Sequence, residues 1–435
     1  MASSSCPIAP DGAARSTRMS CAPIRSRRTG SREQACAVKI TGLEPITCDS
    51  GIAGREWLFL KVTTDEGIVG WGEGYDWQAA PSLAEAIRLV GEEIIGQDPR
   101  RIDFISRRLW DSGRAGVPER MKVIAALDLA LYDIKGKWLG VPVYDLIGGL
   151  YRDRIPLYWS HFASYRALDA EALGVEPVRT LNGWLALVDD VERAGFGALK
   201  TNLLIPGLAS GLPPTLDGAI DRWRIDAAVE FVGALRERCG PNMGILFDVG
   251  QEYRMGGILQ LARALEPFDL YWLEAEGFDA DALLAAREQT RTRICHGEAL
   301  IGRQAFRPFL ERHVSDVIMI ETLSNGLSEA RRIAELAAHY DTMFSPHNYM
   351  SPLSNLINAH LCAVMPNCEI LEIDMDDVAW KWQLIDQPLR IEAGELIVPD
   401  RPGWGADVVE EEVARHPLRD HARPAFLSAL QEQGP

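Results

Sequence analysis

The sequence predicts an α/β fold whose larger part is a (β/α) barrel, and two observations carry that expectation. The first is a set of short apolar segments that each end on a polar residue. "GILFD" ends on Asp248, "LYWLE" on Glu274, "TRICHGE" on Glu298, "VIMIE" on Glu321, "MFSPH" on His347 and "EILE" on Glu372. The second is their spacing, which is 26, 24, 23, 26 and 25 residues. Each interval holds a helical pattern, such as "GGILQLARALEPF" or "LSEARRIAELAAHYD". One strand, one helix and two loops fill about 25 residues, so this is the period of a βα repeat. In such a barrel the strand ends gather on one face, and the site is built there. One strand that stops at Asp is ordinary. Six polar ends in phase, five acidic and one His, point to a site.

Residues 1–36 are rich in Ser, Arg and Ala and lack periodicity. They have no apolar core for a secretory signal; their Arg and Ser bias leaves a transit peptide open. The plainer reading is a disordered tail, or a start placed too early, with Met19 as a second candidate. A chain beginning near Ala37 is therefore expected to fold and turn over normally. Residues 37–150 read as an α+β module. "AVKITGLEPITC" and "EWLFLKVTTDEGIVGWGEG" are strand-like, with Asp-Glu-Gly as a turn, and three helical patterns follow. The barrel is expected over 151–378. Its first strand, "DRIPLYWSH", ends at Ser160 and His161, and "FGALKTN" is its second. Longer gaps at 165–190 and 203–222 are expected to be surface loops near the site. Residues 379–435 are turn-rich and are expected to pack back on the first module.

Composition narrows the function. The chain has 435 residues, 47% of them hydrophobic, enough for a barrel and a second module. A net charge of −17 argues against a nucleic-acid partner and for acidic groups gathered in a metal site. No apolar run reaches the length of a membrane span, so no membrane partner is expected. The eight Cys show no CxxC pair and no zinc spacing, which suits reduced thiols in the cytoplasm.

A three-stranded module followed by a barrel with Asp, Glu and Glu on three consecutive strands resembles the enolase superfamily. The His and Glu on the seventh and eighth strands point to its mandelate racemase subgroup. The strings that carry the resemblance include "TTDEGIVGWGE", "ALDLALYDIKGKWLGVPVYDLIGG", "LKTN", "LFDVG", "WLEAE", "HGEAL", "FSPHN", "EILEID" and "PGWG". It spans nearly the whole chain from residue 38. It implies a modified TIM barrel with an N-terminal α+β capping domain that the C-terminal segment completes. It also implies a homo-oligomer between dimer and octamer, Mg2+ with Mn2+ as a substitute, and no organic cofactor.

Carried over residue by residue, the resemblance makes Asp248, Glu274 and Glu298 the metal ligands. Three carboxylates without a Cys cluster suit a hard, oxygen-loving cation. His347 matches the family's catalytic His. Glu321 stands where the family usually has an Asp paired to that His; a rim salt bridge is the plainer reading. Glu372 matches a Glu that hydrogen-bonds the substrate carboxylate; the plainer reading is a carboxylate that accepts from a neighbouring Arg. Arg55 and Trp57 fall in one lid loop, "CDSGIAGREW", and Tyr75 and Trp77 in a second, "GYDW". His161 either reaches the substrate or is a packed strand-end His. His296 adjoins Glu298, and His360 in "INAHLCAV" reads as a core residue.

Two departures matter. Many relatives carry Lys-x-Lys on the second barrel strand, whereas this chain has Lys200-Thr201-Asn202. Asn202 cannot abstract a proton but can donate a hydrogen bond. Lys200 supplies charge near a carboxylate, is a rival base, or is simply a solvent-paired strand-end Lys. "WLEAE" lacks the usual Glu-Pro, which makes Glu276 new to the site. The implied chemistry is removal of the proton α to a carboxylate, with donors and a cation stabilising the enediolate. With one obvious base, the first reading is β-elimination of water from an acid sugar, an aldonate or aldarate. Cycloisomerisation of a sugar-acid lactone and racemisation or epimerisation of a 2-hydroxy acid stay open. In a different class, the barrel binds an acidic metabolite without catalysis.

Overall fold

The computed structural model describes residues 38–52, 55–75, 79–112, 118–203, 218–250 and 253–419. The N-terminal tail, Trp77 and most of the Gly/Pro-rich 203–222 segment lie outside the described residues.

Apolar and β-branched runs form an antiparallel sheet of β1 (Ile40–Asp49), β2 (Glu56–Thr64) and β3 (Val69–Gly74), in the order β1-β2-β3. Three helices follow, α1 (Ala80–Gly91), α2 (Ile102–Ser112) and α3 (Pro118–Leu139), then a single turn, α4 (Val143–Leu146). The small residues of α3 let it press onto β3. A Cβ on Gly72 would stand 2.2 Å from the Ala126 carbonyl oxygen, so only glycine allows the contact. Trp57, expected on a lid loop, instead lies within β2, fully buried and edge-on to Trp380 at 5.4 Å. It is a core residue. The loop is shorter than the sequence pattern suggests, because "EWLFLKVTT" is apolar enough to pair from Glu56 onward.

Eight parallel strands make the barrel: β4 (Arg154–Trp159), β5 (Ala198–Asn202), β6 (Gly244–Asp248), β7 (Trp272–Glu274), β8 (Ile294–His296), β9 (Val317–Glu321), β10 (Met343–His347) and β11 (Leu371–Ile373). From β4 to β10 they pair in chain order, and β11 pairs with β4 through Leu371–Leu157 and Glu372–Tyr158. Phe344 bridges to Cys368 at the β10–β11 seam. Between β4 and β5 the sequence pattern predicts a surface loop at 165–190. The chain instead forms four short helices, α5 (Ser164–Leu168), α6 (Ala170–Leu173), α7 (Leu181–Ala186) and α8 (Val188–Arg193). Thr180 caps α7 by accepting from the Gly183 N–H, and Trp184, Val188 and Val191 are buried beneath. The other intervals carry α9 (Arg222–Cys239), α10 (Met255–Leu265), α11 (Ala280–Arg287), α12 (Arg303–Glu311), α13 (Thr322–His339) and α14 (Pro352–Val364).

Strand side chains alternate with period two, so residues two apart share a face. Tyr158, Ala198, Leu246, Trp272, Cys295, Val317, Met319 and Ile370 form one buried cluster that fills the barrel. Step two residues on from Ala198, Leu246, Trp272, Met319 and Ile370, and the positions are Lys200, Asp248, Glu274, Glu321 and Glu372. The polar ends are thus the layer above the packed interior. Glu298 departs from this phase, two residues past the end of β8.

The C-terminal segment ties both parts together. A hairpin of β12 (Ile391–Glu392) and β13 (Glu395–Ile397) pairs antiparallel with β4. The Trp404 N–H donates to Asp133 at 2.9 Å, and its indole donates to the Trp71 carbonyl at 2.8 Å. Lys61 pairs with Glu410 at the start of α15 (Glu410–Arg415), and the Asp49 N–H donates to the His416 carbonyl.

Two further contacts fix the capping helices and sheet over the barrel. Gly326 breaks α13 with φ 72° and ψ 162°, and there its Cα faces α3. A Cβ would meet Asp128 Oδ2 at 3.1 Å and Ala125 Cα at 3.2 Å, and the conformation is one only glycine adopts readily. Gly326→Ala is expected to cost about 1–3 kcal/mol, read as a lowered urea midpoint. An unchanged midpoint would show that α13 shifts to make room.

Glu73 of β3 accepts from Ser351, from N–H at 3.1 Å and from Oγ at 2.5 Å, just before α14. Burial pushes its carboxyl up to about 7, from an ordinary 4.5, despite those hydrogen bonds. A raised folded value means that this stability is fully present below 4.5 and lost as pH rises through about 7. Burial raises Asp128 to about 6, and it acts in the same direction. The thermal midpoint should therefore fall between pH 5 and pH 8, and fall less in Glu73→Gln. Equal slopes in the two proteins would exclude Glu73 as the source.

Candidate active site

At the barrel mouth the central acidic residues face cations and each other. Lys200, fully buried, lies 3.2 Å from Glu274 Oε2 and 2.8 Å from Glu372 Oε1. Burial alone would strip its proton, but Glu274, Glu372 and Asp248 hold it well above the usual lysine range. Asn202 donates from Nδ2 to Asp248 Oδ2 at 3.0 Å and accepts from Ser164. As placed, it braces Asp248 rather than pointing a donor at free space. Asp248 also accepts from the Gly250 N–H at 2.7 Å. Burial pushes its carboxyl upward, Lys200 opposes this, and Glu298 reinforces it.

His347 completes the opposite wall. Its Nδ1 lies 2.6 Å from Glu321 Oε2, so the carboxylate fixes Nδ1 as the protonated nitrogen and turns Nε2 inward. Nε2 is 3.3 Å from Glu298 Oε2. The longer side chain of Glu321 is accommodated because its other oxygen accepts from the Leu323 N–H at 2.7 Å, capping α13. Burial lowers the affinity of His347 for its proton. Glu298, Glu321 and Glu372 outweigh burial and raise it to about 10. Tyr75 reaches this corner, with its ring 6.2 Å from that of His347 and its hydroxyl 3.0 Å from that of Tyr349.

Glu372 is saturated. It accepts from Ser160 Oγ at 2.5 Å and from the Asn348 N–H at 2.8 Å, besides pairing with Lys200. Burial is overridden by Lys200, His347 and His161, which hold it at about 2. As placed, it is an acceptor and has no proton to offer a substrate carboxylate. Arg55 is also committed. It is buried, pairs with Asp374 and Asp377, and donates to the Tyr165 hydroxyl at 2.6 Å. It builds the wall rather than a free lid.

Glu276 sits at the rim of this group. Its Oε1 accepts from the Gly297 N–H at 2.6 Å and the Glu298 N–H at 3.1 Å, so it sets the turn that presents Glu298. Its Oε2 is buried without a hydrogen-bond partner among the described residues. Burial, then Glu298, raises its carboxyl to about 8. His296 donates from Nε2 to the Gly277 carbonyl, packs on Phe309 at 4.4 Å, and is driven down to about 4 by burial. His360 bridges the Tyr144 N–H and the Trp404 carbonyl in the core. Neither faces the site chemistry.

The donor set suits a hard cation: three carboxylates on neighbouring strand ends, mutually repelling and largely desolvated. Their side chains are not drawn to one point, however. Among the described residues no three His, Cys, Asp or Glu groups converge tightly enough to hold a metal ion. Each carboxylate instead faces another partner: Asn202 for Asp248, Lys200 for Glu274, His347 for Glu298. The residue types fit the cation, and side-chain rotation is what would gather them.

Several participants are not marked by the sequence pattern. Asp374 and Tyr349 each stand two residues past a singled-out position, Glu372 and His347, just beyond the ends of β11 and β10. Their place after the strand ends is the signal that could have found them. Tyr165 and Asn348 have none.

Known proteins resemble this chain throughout. Residues 37–148 match the mandelate racemase / muconate lactonizing enzyme N-terminal domain, and residues 184–413 match the enolase C-terminal domain-like family. A D-xylonate dehydratase of Haloferax volcanii is 29% identical over 368 residues, 83% of this chain and 85% of that one. A D-galactonate dehydratase family member of Streptomyces bingchenggensis is 32% identical over 404 residues, 86% and 92% of the two chains. A crystal structure described as an L-alanine-DL-glutamate epimerase of Burkholderia xenovorans, bound to magnesium and fumarate, superposes with a TM-score of 0.83. It is 32% identical and covers 91% of this chain and 99% of its own.

Proposed function

We propose a function from the premise that this chain belongs to the enolase superfamily, in its mandelate racemase and muconate lactonizing enzyme group: it is a metal-dependent acid-sugar dehydratase. The observation that carries the reading is that β5 supplies no base to work with His347. The His347–Glu321 pair turns Nε2 into the site, while the corresponding position on β5 is Asn202, bound to Asp248. Relatives named for D-xylonate and D-galactonate dehydration support the substrate class.

In this reading Asp248, Glu274 and Glu298 hold Mg2+ or Mn2+, which when bound supplies positive charge to the substrate carboxylate and its enediolate. The remaining work belongs to the chain. His347 Nε2 takes the α-proton, and Glu321 stabilises the imidazolium that forms. The Lys200 ammonium faces the carboxylate end and offsets the charge that develops there. Tyr75 and Tyr349 close one side and exclude water. Glu298, Glu321 and Glu372 together hold the His347 proton, so engaging the charge of Glu298 elsewhere favours the neutral, basic ring. A homo-oligomer in the cytoplasm completes the reading. The five described cysteines are all free thiols, which suits a reducing compartment. No helix among the described residues is long and apolar enough to cross a membrane.

The test is a panel of aldonic and aldaric acids with Mg2+, read by keto-acid formation. Inverted acid without keto acid would favour epimerisation, and ring-closed or ring-opened product from a lactone would favour cycloisomerisation. Binding without any turnover would favour the non-catalytic barrel.

A further inference from the structure

A second imidazole–carboxylate pair stands on the same side of the barrel mouth as His347, with β11 between them, and the role assigned to it rests on the dehydratase reading. His161 lies just past β4, and its Nδ1 is 2.8 Å from Asp374 Oδ1. Asp374 is buried, and Arg55 pins it from the other side. Burial raises its carboxyl, but His161 and Arg55 outweigh burial and hold it well below the usual carboxylate range. A carboxylate that stays ionised fixes Nδ1 as the donor nitrogen, so Nε2 is the free one. Nε2 has no hydrogen-bond partner among the described residues. The ring is stacked on Tyr165 at 4.4 Å and 20°, which sets its plane.

The backbone is bent to hold this ring. His161 has φ 47° and Ala163 has φ 63°, two non-glycine residues in the left-handed region within three positions. Such conformations cost energy, persist where the surroundings enforce them, and cluster at functional sites. The His161 side chain is 18% exposed while Asp374 is fully covered, so the ring keeps an open side. Tyr349 lies between the two imidazoles, its ring 5.6 Å from His161 and 5.1 Å from His347. Glu372 of β11, the strand between those that carry them, interacts electrostatically with both.

The geometry points to His161, oriented by Asp374, as a second acid–base group that protonates the departing β-hydroxyl while His347 removes the α-proton. The C–H electrons become the enediolate as its proton moves to His347 Nε2. His161 enters the step as the imidazolium, its Nδ1–H held by Asp374 and its Nε2–H free to donate. The enediolate collapses to an enol, the C–O bond breaks with its electron pair on oxygen, and His161 Nε2–H supplies the proton that makes the leaving group water. His161 ends neutral and His347 protonated. The enol takes a proton at the β-carbon and loses its hydroxyl proton to become the 2-keto acid. Solvent exchange then resets both rings.

The test uses the full chain loaded with Mg2+ and the acid that the panel identifies. His161→Asn is the first variant, because Asn tolerates a positive φ better than most residues. Keto-acid formation should fall on the order of 10²–10⁴-fold. Exchange of the substrate α-proton with deuterated solvent should persist, because His347 is intact. A substrate analogue with β-fluorine, which needs no proton to leave, should be eliminated at nearly the wild-type rate. His161→Gly relieves the backbone and opens a slot, and added imidazole should restore dehydration in it. If His161→Asn dehydrates normally, or loses exchange and both eliminations together without imidazole rescue, this assignment is overturned alone. If the wild-type chain neither exchanges the α-proton nor forms keto acid from any acid, the dehydratase reading falls, and this assignment with it.

Discussion

His347→Asn is expected to abolish both keto-acid formation and exchange of the substrate α-proton, a loss on the order of 10⁴-fold in each. Asn keeps a polar group of similar reach for Glu321, so the wall stays closed while the base is gone. The effect should exceed that of any lid substitution, because His347 is placed to act at the bond that breaks first. The rival is Lys200, which is buried where a neutral amine would be favoured. Its surroundings argue otherwise: Glu274 and Glu372 both lie within ion-pair distance, and each holds the proton in place. Measuring exchange in the variant with metal occupancy confirmed separates the two. Exchange that survives in His347→Asn and vanishes in Lys200→Met would hand the base to Lys200, and the argument against racemisation would fall with it.

The barrel is readable from sequence because its information is local. A polar residue at the end of each apolar run, at a steady interval, needs no knowledge of partners, and Asp248, Glu274, Glu321, His347 and Glu372 all end or lie within their strands as that pattern implies. Pairings are harder. His161 and Asp374 are 213 residues apart and meet only because β11 closes onto β4, a contact set by ring closure and by no sequence signal. The commitment of Asn202 to Asp248 has the same origin, as it depends on the register of β5 against β6. Trp57 is misplaced by the sequence pattern for a local reason. The strand begins earlier than the Gly-containing loop suggests, and the aromatic falls on the buried side. The helices over 164–193 are hidden by their shortness, since stretches of four to six residues are too brief to show a helical period.

Turnover should vanish in excess chelator, and Asp248→Asn, Glu274→Gln and Glu298→Gln should each lower both metal affinity and rate. The physical reason is charge. Asp248, Glu274 and Glu298 are close enough to repel one another in a largely desolvated setting, and Lys200 alone does not neutralise them. A divalent cation binding the folded chain should raise its stability by about 2.7 kcal/mol at a hundred times Kd. The thermal midpoint of the wild type should therefore climb with Mg2+, and that of Asp248→Asn should not. His347 supplies a second readout that is independent of activity. Its raised value, about 10, is held up against burial by Glu298, Glu321 and Glu372. A cation that engages Glu298 removes part of that push, so metal binding should be accompanied by proton release from His347. Calorimetry in buffers of different ionisation enthalpy counts that proton. In Glu298→Gln the folded value is already lower before metal is added, so less proton release should accompany what binding is left. Full turnover in chelator, or a proton count equal in wild type and Glu298→Gln, would break the link between the three carboxylates and the base.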